Sequence, residues 1–358
     1  MKKPIVLFIL KRREDYDLEK HNSKGLSTGL FNSASFMSDM LIEHGVDARL
    51  EVAIDNNCID KFVTEHKPTH VIIEALWVVP SKFTVLTKLH PGVKWIIRLH
   101  SEMPFLAGEG MALDWLGDYA CYSNIFIGVN APRMLEEVRT YLQIKEQWTH
   151  EQVHEKIFYL PNYYPQKYEV KEYQVNKKHI NIGCFGAVRP LKNHVVQAIA
   201  AIRFAESLDK ELHFHINVGR VEMKGEPVMN NLRSLFQQLY DRGHRLISNE
   251  WTPRDEFLKL CGKMDIGLQV SFSETFNIVG ADIISQGVPL VGSMEIPWLD
   301  ETYSARAQYC DEIYSALLLT HYSPQHNVES NQRKLTEYTD HTRDVWLKYF
   351  RKEEHHGR

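Results

Sequence analysis

The stretch Ser271–Gly292, SFSETFNIVGADIISQGVPLVG, decides the reading of this chain. It begins at the end of one apolar run of strand length, DIGLQV (265–270), and closes on another, VPLVG (288–292). Between them apolar positions recur with helical spacing from Phe276 to Gln286, ahead of Gly287-Val288-Pro289. A strand, a helix and a strand in that order form one unit of a parallel sheet. Two acids mark it: Glu274 just before the helix and Asp282 inside it. They lie eight residues apart, about 80° around an ideal helix. With Glu274 in the loop they can reach different parts of one ligand, and the N–H groups of Phe276, Asn277 and Ile278 can bind an anion between them. A carboxylate accepts hydrogen bonds from sugar hydroxyls. A nucleotide diphosphate sugar has this layout: ribose diol, diphosphate, sugar diol. The plain alternative is one acid favouring the helix dipole and one surface acid.

Working outward, the same alternation fills the chain. The first half offers the strands IVLFIL, ARLEVA, HVIIEA, VKWIIRL and NIFIGV, with helical runs at Leu30–Glu43 and Arg133–Leu142. The second offers INIGCFG, LHFHINV, HRLIS, DIGLQV and VPLVG, with helices at His194–Ser207, Met229–Arg242, Arg254–Gly262 and Phe276–Gln286. A polar stretch, NYYPQKYEVKEYQVNKKH (162–179), separates the halves and reads as a linker. The expectation is two doubly wound α/β domains. In such folds ligands bind beyond the carboxyl ends of the strands, near a switch in strand order. If those ends face each other, the site is the cleft between the domains.

Composition sets the outer bounds. The 358 residues carry a net charge of −4, so affinity for a polyanion would have to come from a local patch. The five cysteines form no C-x-x-C pair, which argues against a zinc site or a disulfide framework and for a cytoplasmic protein. The opening MKKPIVLFILKRRED has an apolar run too short for a signal peptide and suits a first strand. No apolar stretch is long enough to span a membrane.

The loops after the strands hold the remaining candidates. The first strand is followed by Lys11, Arg12, Arg13, Lys20, His21 and Lys24, then by Gly25 and Gly29 ahead of a helix. That is either an anion-binding loop or a solvated basic one. There is no G-x-G-x-x-G, so no dinucleotide cofactor is signalled. The fourth strand runs into RLHSEMPF, placing His100 where it could move a proton near neutral pH. In GCFGAVRPLKNH, Gly183 and Gly186 bracket a strand end, and Arg189 and Lys192 stand just before a helix. Basic residues there oppose the helix dipole unless an anion is present, which favours a diphosphate.

These residues resemble the signature of glycosyltransferase family 4 and its relatives of GT-B fold: a Glu, seven residues, a second Glu, then Gly-x-Pro. The resemblance implies that Glu274 contacts the donor sugar and Asp282, one methylene shorter than the family's Glu, the ribose. GAVRPLKN is similar to the family's phosphate-binding segment, so Arg189 and Lys192 would hold the diphosphate and Gly186 and Gly29 would approach the donor. RLHS resembles the post-strand histidine segment and sets His100 beside the donor sugar. YLPNYY (159–164) is similar to a Pro-Asn-Gly before the second domain, with Tyr163 in place of Gly. The segment at Trp251 and Thr252 resembles the part whose backbone reads the nucleobase. The implied domains are 1–170, with a C-terminal helix at about 331–358 packing back on it, and a donor domain at 171–330. The implied activity is retaining transfer from a UDP-sugar, with no metal and no further cofactor.

The resemblance leaves the acceptor open. The first half, especially WIIRLHSEMPFLAGEG, resembles glycosyltransferases of large tailed phages, some of which glycosylate hydroxymethylated cytosine in DNA. Lys11, Arg12, Arg13 and Lys24 would then contact DNA phosphates. The target base would have to be flipped out, with Phe31, Phe105 or Tyr16 filling its place. The expected acceptor is therefore 5-hydroxymethylcytosine in DNA, receiving glucose or arabinose. The alternatives are an envelope glycan or lipid-linked acceptor, and a non-catalytic sugar-nucleotide-binding protein. The Asp15-Tyr16-Asp17 triplet resembles a metal-binding D-x-D of a different glycosyltransferase fold and is discounted.

Overall fold

Strand order shows where each half of the molecule can bind. The computed structural model describes residues 3–11, 29–173, 178–222 and 224–355. They fall into two units: one holds the chain to Pro165 and again from Thr339, the other runs from Gln166 to Tyr338.

In the first unit six parallel strands are ordered β2-β1-β3-β4-β5-β6. They are β1 (Ile5–Lys11), β2 (Asp47–Ala53), β3 (His70–Glu74), β4 (Lys94–Leu99), β5 (Ile125–Val129) and β6 (Ile157–Tyr159). The order reverses between β1 and β3. The intervening helices are α1 (Gly29–Glu43), α2 (Cys58–His66), α3 (Phe83–Leu89), α4 (Met103–Leu106), α5 (Ala112–Ala120), α6 (Pro132–Glu146) and α7 (His150–Lys156). Strand alternation divides the core in two. Leu7, Ile9, Ile73, Trp95 and Ile97 pack in one layer. Val6, Phe8, Ile72 and Ile96 pack in the other, against Met37 and Leu41 of α1 and Trp346 and Phe350 near the C-terminus. Burial on both faces is why these strands read as continuous apolar runs.

The second unit repeats the plan in the order β12-β11-β10-β7-β8-β9. Its strands are β7 (His179–Gly183), β8 (Glu211–Asn217), β9 (Arg245–Asn249), β10 (Ile266–Gln269), β11 (Leu290–Ser293) and β12 (Ser304–Ala305). Its helices are α8 (His194–Ser207), α9 (Glu226–Gln238), α10 (Arg254–Gly262), α11 (Ile278–Ser285), α12 (Cys310–Tyr322) and the 32-residue α13 (Pro324–His355). Here the order reverses between β7 and β10, so the loops after those two strands flank the expected ligand position.

Three features differ from the sequence expectation. Residues 166–173 are not a loose linker. Glu169 N–H donates to the Ser285 carbonyl at 2.7 Å, Lys171 Nζ to the Gly262 carbonyl at 2.8 Å and Tyr173 Oη to the Gly287 carbonyl at 2.9 Å. Gly287 has φ +67°, and a Cβ there would lie 2.7 Å from the Glu169 carbonyl oxygen, so glycine is required on both counts. The final helix starts at Pro324 rather than near 331, because no Gly or Pro interrupts it afterwards. The helix expected from Met229 begins at Glu226, with Pro227 in its first turn, and its last residues tighten into a 3-10 turn at Tyr240–Arg242. Among the described residues no helix is long and apolar enough to cross a membrane.

Candidate functional site

The loops after β7 and β10 are joined by buried amides. Phe272 N–H donates to the Leu191 carbonyl at 2.9 Å. Gln197 receives the Val270 N–H at 2.7 Å and donates to the Lys192 carbonyl at 2.7 Å. Gln269 donates to the Phe185 carbonyl and accepts from Asn277 Nδ2, each at 3.1 Å. Asn193, in the left-handed region at φ 57°, donates to the Val270 and Ala307 carbonyls at 3.1 and 2.8 Å. Asparagine tolerates that conformation better than most residues. These bonds fix both loops before any ligand arrives.

Across them Lys192 Nζ pairs with Glu274, and both side chains are largely buried. Arg189 Nη1 lies 3.7 Å from Glu222, whose other oxygen accepts from Arg220 Nε at 2.6 Å. The Arg220 guanidinium sits 5.2 Å from the Trp251 ring centroid, a cation–π arrangement. The predicted residues Lys192 and Glu274 are thus brought together at the strand-order switch, while Arg189, on the same loop as Lys192, pairs with Glu222. Arg220 and Glu222 were missed, because they follow β8 in a segment with no periodicity. Gly186 has φ +114°, and its N–H donates to Asn217 Oδ1 at 2.9 Å.

The helix after Glu274 begins two residues later than expected. Asn277 adopts φ 62° and caps α11, its Oδ1 accepting from Gly280 N–H at 2.7 Å. Phe276 and Asn277 therefore precede the helix, and only Ile278 of the three predicted N–H donors lies within it. Phe276 serves as an anchor: its ring is buried and its carbonyl accepts from Trp298 Nε1 at 2.6 Å. Asp282 is also buried, with Oδ1 2.7 Å from Arg254 Nη2. Arg254 opens α10 directly after the Trp251-Thr252 segment. The ribose residue inferred from the sequence thus carries a cation from the neighbouring loop, which no spacing rule predicts. His194 opens α8 beside Lys192 and is buried, and neither ring nitrogen has a hydrogen-bond partner among the described residues. Burial, with the charges of Lys192 and Arg189, pushes its pKa down to about 3.

In the first unit His100 follows β4 and pairs through Nε2 with Glu74 at the end of β3. Glu74 and Arg98 are cross-strand partners in the β3–β4 register, and both are fully buried. Arg98 Nη1 lies 3.2 Å from each Glu74 oxygen. Arg98 also donates to the Leu160 and Pro161 carbonyls, each at 3.1 Å, and to Asn162 Oδ1. Trp346 stacks over it at 5.2 Å and donates to the Pro161 carbonyl at 2.9 Å. Burial pushes His100 below its ordinary pKa against the pull of Glu74, with Arg98 adding to the fall. Burial alone would raise Glu74, but Arg98 and His100 outweigh it and hold the carboxyl below the usual range. The signal for Glu74 was available: an acid ending the apolar run HVIIE, one strand away from R-x-H.

Gly29 is the first residue of α1 and not part of a left-handed glycine loop. Lys11 ends β1 and is exposed. Arg12, Arg13, Tyr16, Lys24, Gly25 and the Asp15-Tyr16-Asp17 triplet lie outside the described residues. Among the described residues no cluster of three or more His, Cys, Asp or Glu side chains could hold a metal ion.

No family model and no curated protein matches the sequence. Solved structures do match. An α,α-trehalose-phosphate synthase (UDP-forming) from Burkholderia vietnamiensis aligns over 98% of each chain at 11% identity and a TM-score of 0.69. A sucrose-phosphate synthase from Thermosynechococcus elongatus aligns over 97% of this chain and 98% of its own, at 10% identity and a TM-score of 0.67. TarM from S. aureus, determined with UDP, fondaparinux and α-GlcNAc-glycerol, aligns over 78% of this chain at 13% identity and a TM-score of 0.57. This chain spans 55% of TarM. At these identities the likeness fixes the fold, which is GT-B.

Proposed function

We propose that the chain is a nucleotide-sugar-dependent glycosyltransferase, with its donor bound by the second unit and transfer proceeding with retention. The observation that carries the reading is the pairing of Lys192 with Glu274 across two tied loops at a strand-order switch, with Arg189 on the same loop as Lys192. Arg189, Lys192 and the N-terminus of α11 meet the charge that develops on the leaving diphosphate. Glu274 takes hydroxyls of the transferred sugar, and Asp282, with Arg254 beside it, takes the ribose. Gly186 lies against the donor, and the backbone at Trp251 and Thr252 reads the nucleobase. His100 keeps the role at the transferred sugar that the sequence resemblance implies. Two proteins of this fold, TarM and GtfA, were determined with UDP bound, which supports a uridine nucleotide as the donor.

For the acceptor, Lys11 ends β1, on one side of the first sheet's switch point, and the basic residues Arg12, Arg13 and Lys24 come after it in the sequence. That placement supports a phosphate-bearing acceptor, and 5-hydroxymethylcytosine in duplex DNA is the reading taken from the sequence. One observation favours a second reading, a small sugar phosphate. The trehalose-phosphate and sucrose-phosphate synthases reported above match this chain from end to end, whereas TarM aligns over only 78% of this chain and 55% of its own.

A mass-spectrometric transfer assay tests both. Purified protein is incubated with a panel of nucleotide sugars and either hydroxymethylated duplex, unmodified duplex or hexose phosphates. A nucleoside gaining one sugar only on the hydroxymethylated duplex supports the DNA acceptor, and a phosphorylated disaccharide supports the second reading. Absence of transfer, of donor hydrolysis and of UDP binding by calorimetry would refute the donor site itself.

A further inference from the structure

We infer that Glu74 is a positioning residue for His100, fixing the ring with its proton on Nε2 and its lone pair on Nδ1. This rests on the role proposed above for His100. Glu74 and Arg98 pair across β3 and β4, and His100 follows two residues after Arg98, on the same side of the strand. Arg98 cannot turn away, because its other N–H groups are committed to the Leu160 and Pro161 carbonyls and to Asn162 Oδ1. Asn162 Oδ1 is itself held by Ser33 Oγ of α1 at 2.9 Å. The carboxylate is therefore held at both oxygens.

Glu74 stays ionised, since Arg98 and His100 hold its pKa down. An ionised carboxylate only accepts hydrogen bonds, so the contact with His100 Nε2 requires the proton on that nitrogen. On the other side Asn130 Nδ2 lies 3.5 Å from His100 Nδ1. An amide nitrogen is a donor, which matches a lone pair at Nδ1. The contact with Glu74 sets the tautomer; the two neighbours at 3.5 Å, Asn130 Nδ2 at Nδ1 and Arg98 Nη1 at Nε2, are both donors and offset each other. The ring is buried apart from a minor part of its side chain and has a lowered pKa, so it is neutral at pH 7. Beside a sugar, a neutral imidazole with its lone pair at Nδ1 accepts a hydroxyl proton in a hydrogen bond and does not act as an acid through that atom.

The test reads the tautomer directly. Histidine-¹⁵N-labelled full-length protein is examined by long-range ¹H–¹⁵N correlation at pH 7, with His100 assigned by the signals absent in His100→Gln. The expected pattern is a protonated Nε2 and an unprotonated Nδ1. A proton on Nδ1, or on both nitrogens, overturns the inference. In Glu74→Gln, kcat should fall by about tenfold or more with the donor KM unchanged, as when an orienting acid behind a histidine is neutralised. An unchanged kcat in folded protein also overturns it. Should that variant not fold, Asn130→Ala decides: the Nε2–H tautomer should persist, and a switch to Nδ1–H would assign its control to Asn130. Failure of the wild type to bind UDP would refute the proposed function while leaving the tautomer result standing.

Discussion

His194→Leu should leave the protein at least as stable as the wild type at pH 8 and distinctly more stable at pH 5. The wild-type ring is 1% exposed, and neither nitrogen has a partner. Its native pKa is about 3, against about 6.5 in an unfolded chain. The sign follows from proton counting. Between pH 6.5 and 3 the unfolded chain binds a proton that the native ring refuses, so stability is full above the unfolded value and falls as pH drops. At pH 5 the two states differ by about 1.5 pKa units of unshared protonation, or about 2 kcal/mol. Leucine cannot take the proton and leaves no polar atom unpaired, so at pH 8 the change should be neutral or stabilising by up to about 1 kcal/mol. The assay is urea unfolding followed by far-ultraviolet circular dichroism at both pH values. Other histidines titrate equally in both proteins and cancel in the difference. A gap between variant and wild type that is the same at pH 5 and pH 8 would refute the reasoning.

Three further outcomes are expected. On the proposed role of Lys192 at the diphosphate, Lys192→Ala should remove a charge-assisted contact worth about 1.5–3 kcal/mol, and calorimetry should find UDP binding weakened about 10- to 100-fold. Glu274→Ala should abolish transfer while the far-ultraviolet spectrum is preserved. UDP itself should bind this variant as well as or better than wild type, because the ion pair with Lys192 no longer competes. Arg98→Met leaves the fully buried Glu74 without its guanidinium, which should cost about 3–5 kcal/mol in urea unfolding; a loss under about 1 kcal/mol would contradict the role assigned to that pair.

The sheet strands were legible because most of them are buried on both faces and so appear as unbroken apolar runs. The three-residue β6 and two-residue β12 were not, since runs that short carry no period. The N-terminus of α11 was placed two residues early. Phe276 looks like the first apolar helical position, but its ring is fixed by packing on Trp298 and Tyr338. Asn277 takes up the left-handed cap instead. Glu274, Arg189 and Lys192 could be found by position, because each follows a strand end. Their partners could not. Glu222 reaches Arg189, and Arg254 reaches Asp282, through contacts set by strand order, which connects residues 33 and 28 positions apart. Glu74 was overlooked for a related reason: its meaning depends on Arg98 lying opposite in the register.

The pairing in the second unit bears on how a donor could be accepted. Arg189, Lys192 and Arg254 all stand at or near helix starts, where a cation opposes the dipole. Each is offset by an acid: Glu222, Glu274 and Asp282 respectively. A diphosphate is a better partner than these acids, since it carries more charge and can also accept from helix N–H groups. Its arrival would transfer cations from carboxylates to phosphate, leaving Glu274 and Asp282 with oxygens to satisfy. Hydroxyls of a sugar and a ribose supply the donors they would lack. Nucleotide and sugar would then each complete what the other leaves unpaired, and a nucleotide diphosphate sugar would satisfy the loops more fully than either part alone.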